Sequence, residues 1–548
     1  MNHKSWCLVL HSHIPYVINH GRWPHGADWL FEVCAESYLP LLTVLCRLRN
    51  EGITSNINLS FTPVLMEQLK SRNFAAGFKR YLQMKIDLAR DNRAYFAQTG
   101  QDRLVRLAQY WETWYQRAYE DFVSRWEEDI LKGFKKLQDE KQVEILTSAA
   151  THAYLPLLSD DRSVRFQVQQ GRFVYEQYFG QPPAGFWLPE CAYRPRYVWK
   201  RPLKAGAAFL RPGLDELLRE SGLKYFFVDT HLLRGGEVKG VYLERFPVLK
   251  RLWQKAQQEQ KPAREQGLSP YLPYLAEPSG LPFFVRDEKS GSLVWSGQAG
   301  YPGDGWYLEF HKKHFPGGLR YWRVTSAQLD LGEKQIYQPE KAKERLAEQA
   351  THFVSLLTAA LKDQEGDVIA SLYDTELFGH WWFEGPEWLY LVVKKLALTK
   401  IRPERASLCL ERLNPQIPVS LPEGSWGTGG FHWVWLNEDT SWVWEKIYRL
   451  EDEWGKIYPD LAKRQPRLYR QWLREKLLLE SSDWPFLIST WTARDYAENR
   501  VAEHYERAKI LLKWIKRGAP LQSEEQEQLL NWEKEDSLFP QFFPGGAE

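Results

Sequence analysis

The chain has 548 residues and is close to neutral, with 72 Lys and Arg side chains against 70 Asp and Glu. This balance gives no electrostatic reason to expect nucleic acid or an anionic membrane surface as a partner. Aromatic residues make up 15% of the chain and include 26 tryptophans, several of them in polar, Gly-rich stretches. Most tryptophans fill cores, but those in polar stretches favour stacking on a flat ligand, and near-neutrality favours a sugar over a base.

The cysteines and the N-terminus indicate the compartment. The five cysteines have no CxxC spacing, which argues against a disulfide framework and against a structural zinc site. The N-terminus lacks a signal-peptide core with a small-residue cleavage site, and we find no apolar window of transmembrane length. We therefore expect a soluble, cytoplasmic protein of two or three domains.

Seven short apolar runs alternate with helix-periodic stretches along the chain. They cover residues 6–13, 56–63, 143–152, 185–190, 224–231, 292–297 and 367–376. Apolar strands separated by helices are typical of a parallel sheet buried on both faces, and seven of them predict a (β/α) barrel one unit short of eight. In such barrels the chemistry lies at the carboxyl ends of the strands. Those ends hold His11, His13, His152, Glu190, Asp229, His231 and Asp374.

Three regions depart from this alternation. Residues 76–140 are charged, aromatic and helix-periodic, and we interpret them as a helical insertion after the second strand. The Gln/Lys-rich run 250–270 is interpreted as a solvated excursion. Residues 1–395 would then form the catalytic barrel, and residues 396–548, with clear amphipathic segments, a helical C-terminal domain.

Two acidic residues follow strands in aromatic surroundings. Glu190 lies in "GFWLPECAY" and Asp374 in "SLYDTELFGHWWFEG". A helix N-cap or a surface ion pair is the plain alternative for either acid. Nearby aromatic side chains would desolvate a carboxyl group and raise its pKa, as a general acid needs; they are Trp187, Tyr193, Tyr373, Trp381 and Trp382. One carboxylate as nucleophile and one carboxylic acid as proton donor, about 5–5.5 Å apart, is the retaining glycosidase arrangement.

The stretch "LHSHIPY" places His11 and His13 on one face of a strand end. They could bind sugar hydroxyls or a metal ion. An HxH pair after the first barrel strand is also how metal-dependent amidohydrolases begin. His152 and His231 could complete such a site, although no lysine lies at a corresponding strand end.

Five stretches resemble, in order, the five motifs of glycoside hydrolase family 57. They are "HSHIPY", "ILTSAATHAYLPLL", "FWLPECAY", "SLYDTELFGHWWFEG" and "DWPFLISTWTARDYAENRVAEH". A further stretch, "VWSGQAGYPGDGWYLEFHK", resembles the 1,4-α-glucan branching enzymes of that family. The resemblance implies an incomplete (β/α)7 barrel with a helical insertion and an all-helical C-terminal domain.

The resemblance also implies roles for individual residues. Glu190 matches the family nucleophile, and Asp374 matches the general acid/base. The expected substrate contacts are His11, His13, His152, Arg286, Gly303, Trp426 and Asp483. Trp426 is expected to stack on a glucose ring. Trp23, Trp306 and Trp435 are weaker aromatic candidates for which packing is an equal alternative.

The expected activity is transfer of an α-1,4-glucan chain to the 6-hydroxyl of an acceptor glucan, without metal or cofactor. An α-amylase or a 4-α-glucanotransferase of the same family is the alternative. A metal-dependent amidohydrolase and a non-catalytic glucan-binding protein are more remote. Branching enzymes of the family carry a tyrosine at the tip of the loop after the fifth strand; here that connection contains Tyr242, whose place at the tip the sequence does not fix.

Overall fold

The computed structural model describes residues 3–203, 208–235, 246–259, 267–297, 300–363, 366–457 and 463–544. Tyr242 and residues 260–266 of the Gln/Lys-rich run lie outside these ranges. Twelve strands are found in the described part of the chain. They are β1 (Lys4–Ser12), β2 (Ile57–Phe61), β3 (Val143–Ser148), β4 (Gly185–Trp187), β5 (Tyr197–Trp199), β6 (Phe209–Arg211), β7 (Tyr225–Val228), β8 (Tyr274–Ala276), β9 (Leu281–Val285), β10 (Val368–Asp374), β11 (Ile401–Pro403) and β12 (Pro418–Val419).

Seven parallel strands form a ring in the order β10, β1, β2, β3, β4, β7 and β9. A single parallel bridge between Arg286 and Ala370 joins the end of β9 to β10. Strands β8, β11 and β12 extend the sheet, and β5 pairs with β6 in a separate antiparallel hairpin. The ring is the incomplete (β/α)7 barrel that the sequence predicts, and it places the ends of β1, β4 and β10 at one mouth.

Six of the seven predicted strands are confirmed. The prediction of a strand at residues 292–297 is wrong. Residues Glu288–Trp295 form a helix, which begins where the Asp287 side chain accepts a hydrogen bond from the backbone N–H of Ser290 at 2.7 Å. The sixth barrel strand is β9, slightly earlier in the chain. The N-cap ends the strand and starts the helix, so the apolar residues of 292–297 belong to a helix face.

The α-helices surround the ring and form the C-terminal region. They are α1 (Ala27–Val33), α2 (Leu39–Asn50), α3 (Pro63–Lys70), α4 (Arg72–Gln98), α5 (Asp102–Glu120), α6 (Ile130–Asp139), α7 (Asp161–Phe179), α8 (Leu214–Glu220), α9 (Thr230–Arg234), α10 (Lys250–Glu259), α11 (Glu288–Trp295), α12 (Pro339–Asp363), α13 (Gly385–Leu396), α14 (Ala406–Leu413), α15 (Ser441–Ile457), α16 (Pro466–Leu479), α17 (Asp483–Thr490), α18 (Arg494–Arg517) and α19 (Ser523–Glu535). A π-helical segment, Cys34–Tyr38, joins α1 to α2.

The helical insertion and the helical C-terminal region are both present. Helices α4 and α5 pack against each other within the predicted insertion 76–140. After Val419 the described part of the chain contains helices and turns but no strand. The boundary at residue 396 stays a prediction; β11 and β12 lie just beyond it and pair with strands of the barrel sheet.

One stretch, Ala27–Asn50, is long and apolar enough to cross a membrane by length and composition, contrary to the expectation that no such window exists. In this fold 78% of its most apolar window is buried inside the molecule, as in the core helix of a globular domain. The π-helical segment lies in the middle of this stretch. The five cysteines are buried and free.

Candidate active site

Glu190 lies on a sharp turn directly after β4. The turn Pro189–Cys191 places Glu190 at φ +61° and Cys191 at φ +47°, in the left-handed region that non-glycine residues rarely adopt. Backbone hydrogen bonds fix the turn, from Cys191 N–H to the Leu188 carbonyl at 2.8 Å and from Trp426 N–H to the Glu190 carbonyl at 3.2 Å. A strained turn held in this way is typical of a functional site.

Trp426 contacts the Glu190 side chain as well as its backbone. The indole Nε1–H donates to Glu190 Oε2 at 2.8 Å. The indole is 1% exposed, and its neighbours include the rings of Trp187 and Trp295, with centroids 5.3 and 5.9 Å away. This burial leaves almost no surface for a sugar ring. We infer that Trp426 orients Glu190 rather than stacks on a glucose.

His11 and His152 form a buried pair beside Glu190. Their Nε2 atoms lie 3.0 Å apart, so that one ring donates to the other. Ser60 Oγ lies 3.1 Å from His11 Nδ1, and Ser482 Oγ lies 2.8 Å from His152 Nδ1. His152 Nδ1 is also 4.0 Å from Glu190 Oε1. Burial lowers the pKa of both imidazoles, and His13 lowers both further. Both rings are therefore neutral at pH 7.

His13 joins the barrel to the C-terminal helices. Its Nδ1 lies 2.9 Å from Thr62 Oγ1, and its Nε2 lies 2.8 Å from Asp483 Oδ2. Ser481 Oγ donates to the same carboxylate oxygen at 2.5 Å. The ring stacks on His152 with centroids 4.0 Å apart. The three predicted histidines and Asp483 are thus brought together.

Asp374 ends β10 and is paired in register with His11 on β1. Its charge and that of Glu190 both act on the buried Cys191 thiol, whose pKa is raised by burial and by these carboxylates. The two predicted catalytic acids therefore both act electrostatically on one buried side chain.

Arg286 forms a buried ion pair with Asp229, with Nη1 2.8 Å from Oδ2. The positive charge lowers the pKa of Asp229 despite its burial. Asp229 Oδ1 also lies 3.3 Å from His231 Nδ1, and His231 Nε2 donates to the Gly430 carbonyl at 2.9 Å. Both charges of the pair act on the Cys191 thiol. Arg286 therefore lies near the turn that carries Glu190.

The other predicted aromatic and glycine positions have different surroundings. Gly303 and Trp306 lie between α11 and α12, where the Arg323 guanidinium covers the Trp306 ring at 4.3 Å. Trp435 is fully buried and stacks on Tyr154 with centroids 4.5 Å apart, a packing environment. The fourth of these positions, Trp23, is 78% exposed. The hydrogen bonds described above for Glu190, for the histidines and for Asp483 do not include these four residues.

Sequence reasoning missed several polar partners. Ser60 and Thr62 bond His11 and His13, and Ser482 bonds His152. Ser60 is the β2 residue in register with His11. The alternation of Ser60 and Thr62 at the end of the second strand matches that of the histidines, so strand pairing was the available signal.

His13, His152 and Asp483 are close enough to hold a metal ion, with candidate ligand atoms within 4.8 Å of one another. Hydrogen bonds already engage both ring nitrogens of His13 and of His152. Metal binding would have to break several of these bonds. His231, the fourth histidine that an amidohydrolase site would need, bonds to a backbone carbonyl instead.

Known proteins resemble this chain over nearly its full length. Residues 7–416 match the model of glycosyl hydrolase family 57, and residues 448–543 match the model of the 1,4-alpha-glucan branching enzyme C-terminal region. The chain is 41% identical to the 1,4-alpha-glucan branching enzyme of Thermococcus kodakarensis, over 93% of this chain and 74% of that protein.

Two solved structures agree with this relationship. The family 57 branching enzyme of Pyrococcus horikoshii superposes with a TM-score of 0.87 at 37% identity, over 99% of this chain and 96% of the other. The alpha-amylase AmyC of Thermotoga maritima superposes with a TM-score of 0.80 at 28% identity, over 100% and 99% of the two chains. Because the family model matches residues 7–416, which is most of the chain, this chain belongs to glycosyl hydrolase family 57.

Proposed function

We propose that the protein is a 1,4-α-glucan branching enzyme. The observation that carries this proposal is the match of residues 448–543 to the C-terminal region of branching enzymes. That same region provides Ser482 and Asp483, which hydrogen-bond to His152 and His13 of the barrel. The part of the chain that resembles branching enzymes specifically is therefore also part of the candidate site.

The proposed reaction is a double displacement. The Glu190 carboxylate attacks the anomeric carbon of an α-1,4 bond, while Asp374 donates its proton to the leaving oxygen. A covalent glucosyl-enzyme forms and the shortened chain leaves. Asp374, now a carboxylate, takes the proton of an incoming 6-hydroxyl, and that oxygen displaces Glu190 to form an α-1,6 branch. The configuration at the anomeric carbon is retained.

The neighbours of Glu190 suit its role as the nucleophile. The Trp426 N–H stabilises the carboxylate form and fixes one of its oxygens. His11 and His152 are neutral, so they add no positive charge that would weaken the nucleophile. We propose that they hydrogen-bond the sugar bound beside Glu190, with His13 and Asp483 at the adjoining edge of the site.

The donor and acceptor in this proposal are α-1,4-glucans, and we place the enzyme in the cytoplasm. An α-amylase is the second candidate, because AmyC superposes over the whole chain. The two activities share the glucosyl-enzyme and differ only in whether a sugar hydroxyl or water attacks it. The decision depends on how well the acceptor region excludes water.

The experiment is to incubate the protein with amylose, debranch the product, and compare new α-1,6 linkages with free reducing ends. A branching enzyme produces mostly new linkages. Glu190→Gln should lower both products by several orders of magnitude, because the shared nucleophile has lost its charge.

Two results would contradict the proposal. Reducing ends without α-1,6 linkages would identify an amylase. A Glu190→Gln variant that loses only one of the two activities would show that they do not share Glu190 as their nucleophile.

A further inference from the structure

The turn that follows Asp374 rests on the π-helical segment Cys34–Tyr38. Asp374 directly precedes a short 3-10 turn, Thr375–Leu377. The carbonyl of Thr375 accepts a hydrogen bond from Ser37 Oγ at 2.9 Å. A π-helical segment inside an α-helix is rare and frequently marks a functional position. Here it directs the side chains of Glu36, Ser37 and Tyr38 toward the residues that follow β10.

The same segment fixes the loop further along. Gly379 has φ +109°, and a Cβ there would lie 1.8 Å from the Glu36 carbonyl oxygen, so only glycine allows this approach. The Glu36 carboxylate bonds His380 Nδ1 at 3.1 Å and pairs with the buried Arg320 at 2.6 Å. The loop that follows Asp374 is therefore held at several points by one short segment.

Glu376 lies at the centre of this contact. Its Oε1 accepts hydrogen bonds from the backbone N–H of His13, at 3.0 Å, and from the Tyr38 hydroxyl. The side chain is 4% exposed. It thus connects the end of β1, the π-helical segment and the turn after Asp374, two residues away in the chain. The mechanism above gives it no role.

We propose that Glu376 is a positioning residue for Asp374: it holds the turn against β1, and the negative charge of its carboxylate keeps Asp374 protonated for the first step of the reaction. This inference rests on the proposed function, because it takes Asp374 as the acid/base. The charges of Glu376 and of Asp374 both act on the Tyr38 hydroxyl, which puts the two carboxyl groups in one neighbourhood, and neighbouring carboxyl groups disfavour simultaneous ionisation. A charge on Glu376 therefore favours the proton on Asp374.

The groups around the two acids fit this role. Glu376 faces the Tyr38 hydroxyl and the His13 backbone, and burial raises its pKa to about 7. Burial, Glu376 and the charge of Asp374 all raise the pKa of Tyr38. The Tyr38 hydroxyl therefore stays protonated and remains a hydrogen-bond donor. The charge of Asp374 also acts on the buried Cys191 thiol, as do the charges of Glu190 and of the Asp229–Arg286 pair.

The test is the pH dependence of kcat/KM for Glu376→Gln acting on amylose. Glutamine keeps a carbonyl oxygen for both donors and removes the charge. The alkaline limb, which reports the protonated acid, should move to lower pH by about one unit, with KM little changed. Near pH 8 the variant should be up to tenfold slower than the wild type, and near pH 5.5 the two should be similar. Glu451→Gln is the matched control, because Glu451 is also a buried carboxyl with a raised pKa, of about 6, and its loss should leave the profile unchanged.

Two further variants make the result decisive. Tyr38→Phe removes one hydrogen bond that favours the ionised form of Glu376, so it should move the alkaline limb in the same direction by a smaller amount, even if Glu376→Gln does not fold. A wild-type pH profile in a folded Glu376→Gln or Tyr38→Phe variant, or a uniform loss of activity at every pH, would overturn the inference.

If Asp374→Ala keeps its activity, the acid/base assignment itself is wrong. If Asp374→Ala is inactive and Glu376→Gln has the wild-type profile, only the role of Glu376 is wrong.

Discussion

Trp426 and Glu190 are 236 positions apart in the chain and meet through one side-chain and one backbone hydrogen bond. A hydrogen bond to a charged group contributes about 1.5–3 kcal/mol, more than a neutral one. We therefore expect the tryptophan to affect the reactivity of the carboxylate as well as the packing around it.

Trp426→Phe separates these two effects. Phenylalanine keeps most of the ring but lacks the N–H, so kcat/KM on a short maltooligosaccharide should fall by about 10–100-fold. The loss of ring volume should lower the melting temperature only modestly. Trp472→Phe is the control: Trp472 is fully buried in α16, and its Nε1 has no hydrogen-bond partner among the described residues. The control should lose similar stability and no activity. Full activity in Trp426→Phe would remove Trp426 from the site.

The histidine cluster makes its own prediction about metals. Because both ring nitrogens of His13 and His152 are engaged in hydrogen bonds, prolonged treatment with a strong chelator should leave the rate of glucan transfer unchanged. The measurement is the initial rate before and after chelation, with zinc added back as a control. Stoichiometric zinc in the purified protein, with activity lost on its removal and restored by zinc, would support the amidohydrolase alternative.

At the scale of elements, the sequence predicts the barrel well because its strands are buried on both faces. Continuous apolar runs identified six of the seven strands, and the polar residues after them gave Glu190, Asp374 and the histidines as candidate site residues. The error at 292–297 has a local cause. An apolar helix face such as that of α11 resembles a short buried strand when only six residues are read. The N-cap Asp287 distinguishes the two.

The connections between elements could not be predicted in the same way. His152 bonds Ser482 across 330 positions, and Tyr38 bonds Glu376 across 338. No periodicity relates such pairs, because their proximity depends on how separate elements pack. Trp426 illustrates the same limit: its Gly-rich surroundings favoured an exposed ring, and the packing of Trp187 and Trp295 around it buries the ring instead.

At the scale of the whole molecule, the fold buries several carboxyl groups other than Glu190 and Asp374. Glu384 precedes α13 and is 6% exposed. Its Oε1 accepts hydrogen bonds from Leu308 N–H at 3.0 Å and from the Tyr337 hydroxyl at 2.6 Å. Both donors lie in the long connection between α11 and α12. Through these two hydrogen bonds, the Glu384 carboxyl holds that connection against the start of α13.

Burial raises the pKa of Glu384 from 4.5 to about 7. The folded state therefore holds its proton in a range where the unfolded state has lost it. Between pH 4.5 and 7 the folded state binds more protons, so this group makes the free energy of unfolding fall as pH rises. Above pH 7 the carboxyl is ionised in both states, and its contribution no longer changes.

Glu384→Gln should remove this dependence while keeping the acceptor for Leu308 and Tyr337. Relative to the wild type, the free energy of unfolding of the variant should rise by about 2 kcal/mol between pH 5 and 7.5, and stay constant at higher pH. Denaturant unfolding of both proteins across this range measures the difference. Glu525→Gln is the control, because Arg517 lowers the pKa of the partly exposed Glu525 to about 2 and the group stays ionised in the folded state throughout. A difference between Glu384→Gln and the wild type that does not change with pH would mean that Glu384 titrates in its ordinary range, and that the fold accommodates its charge despite the burial.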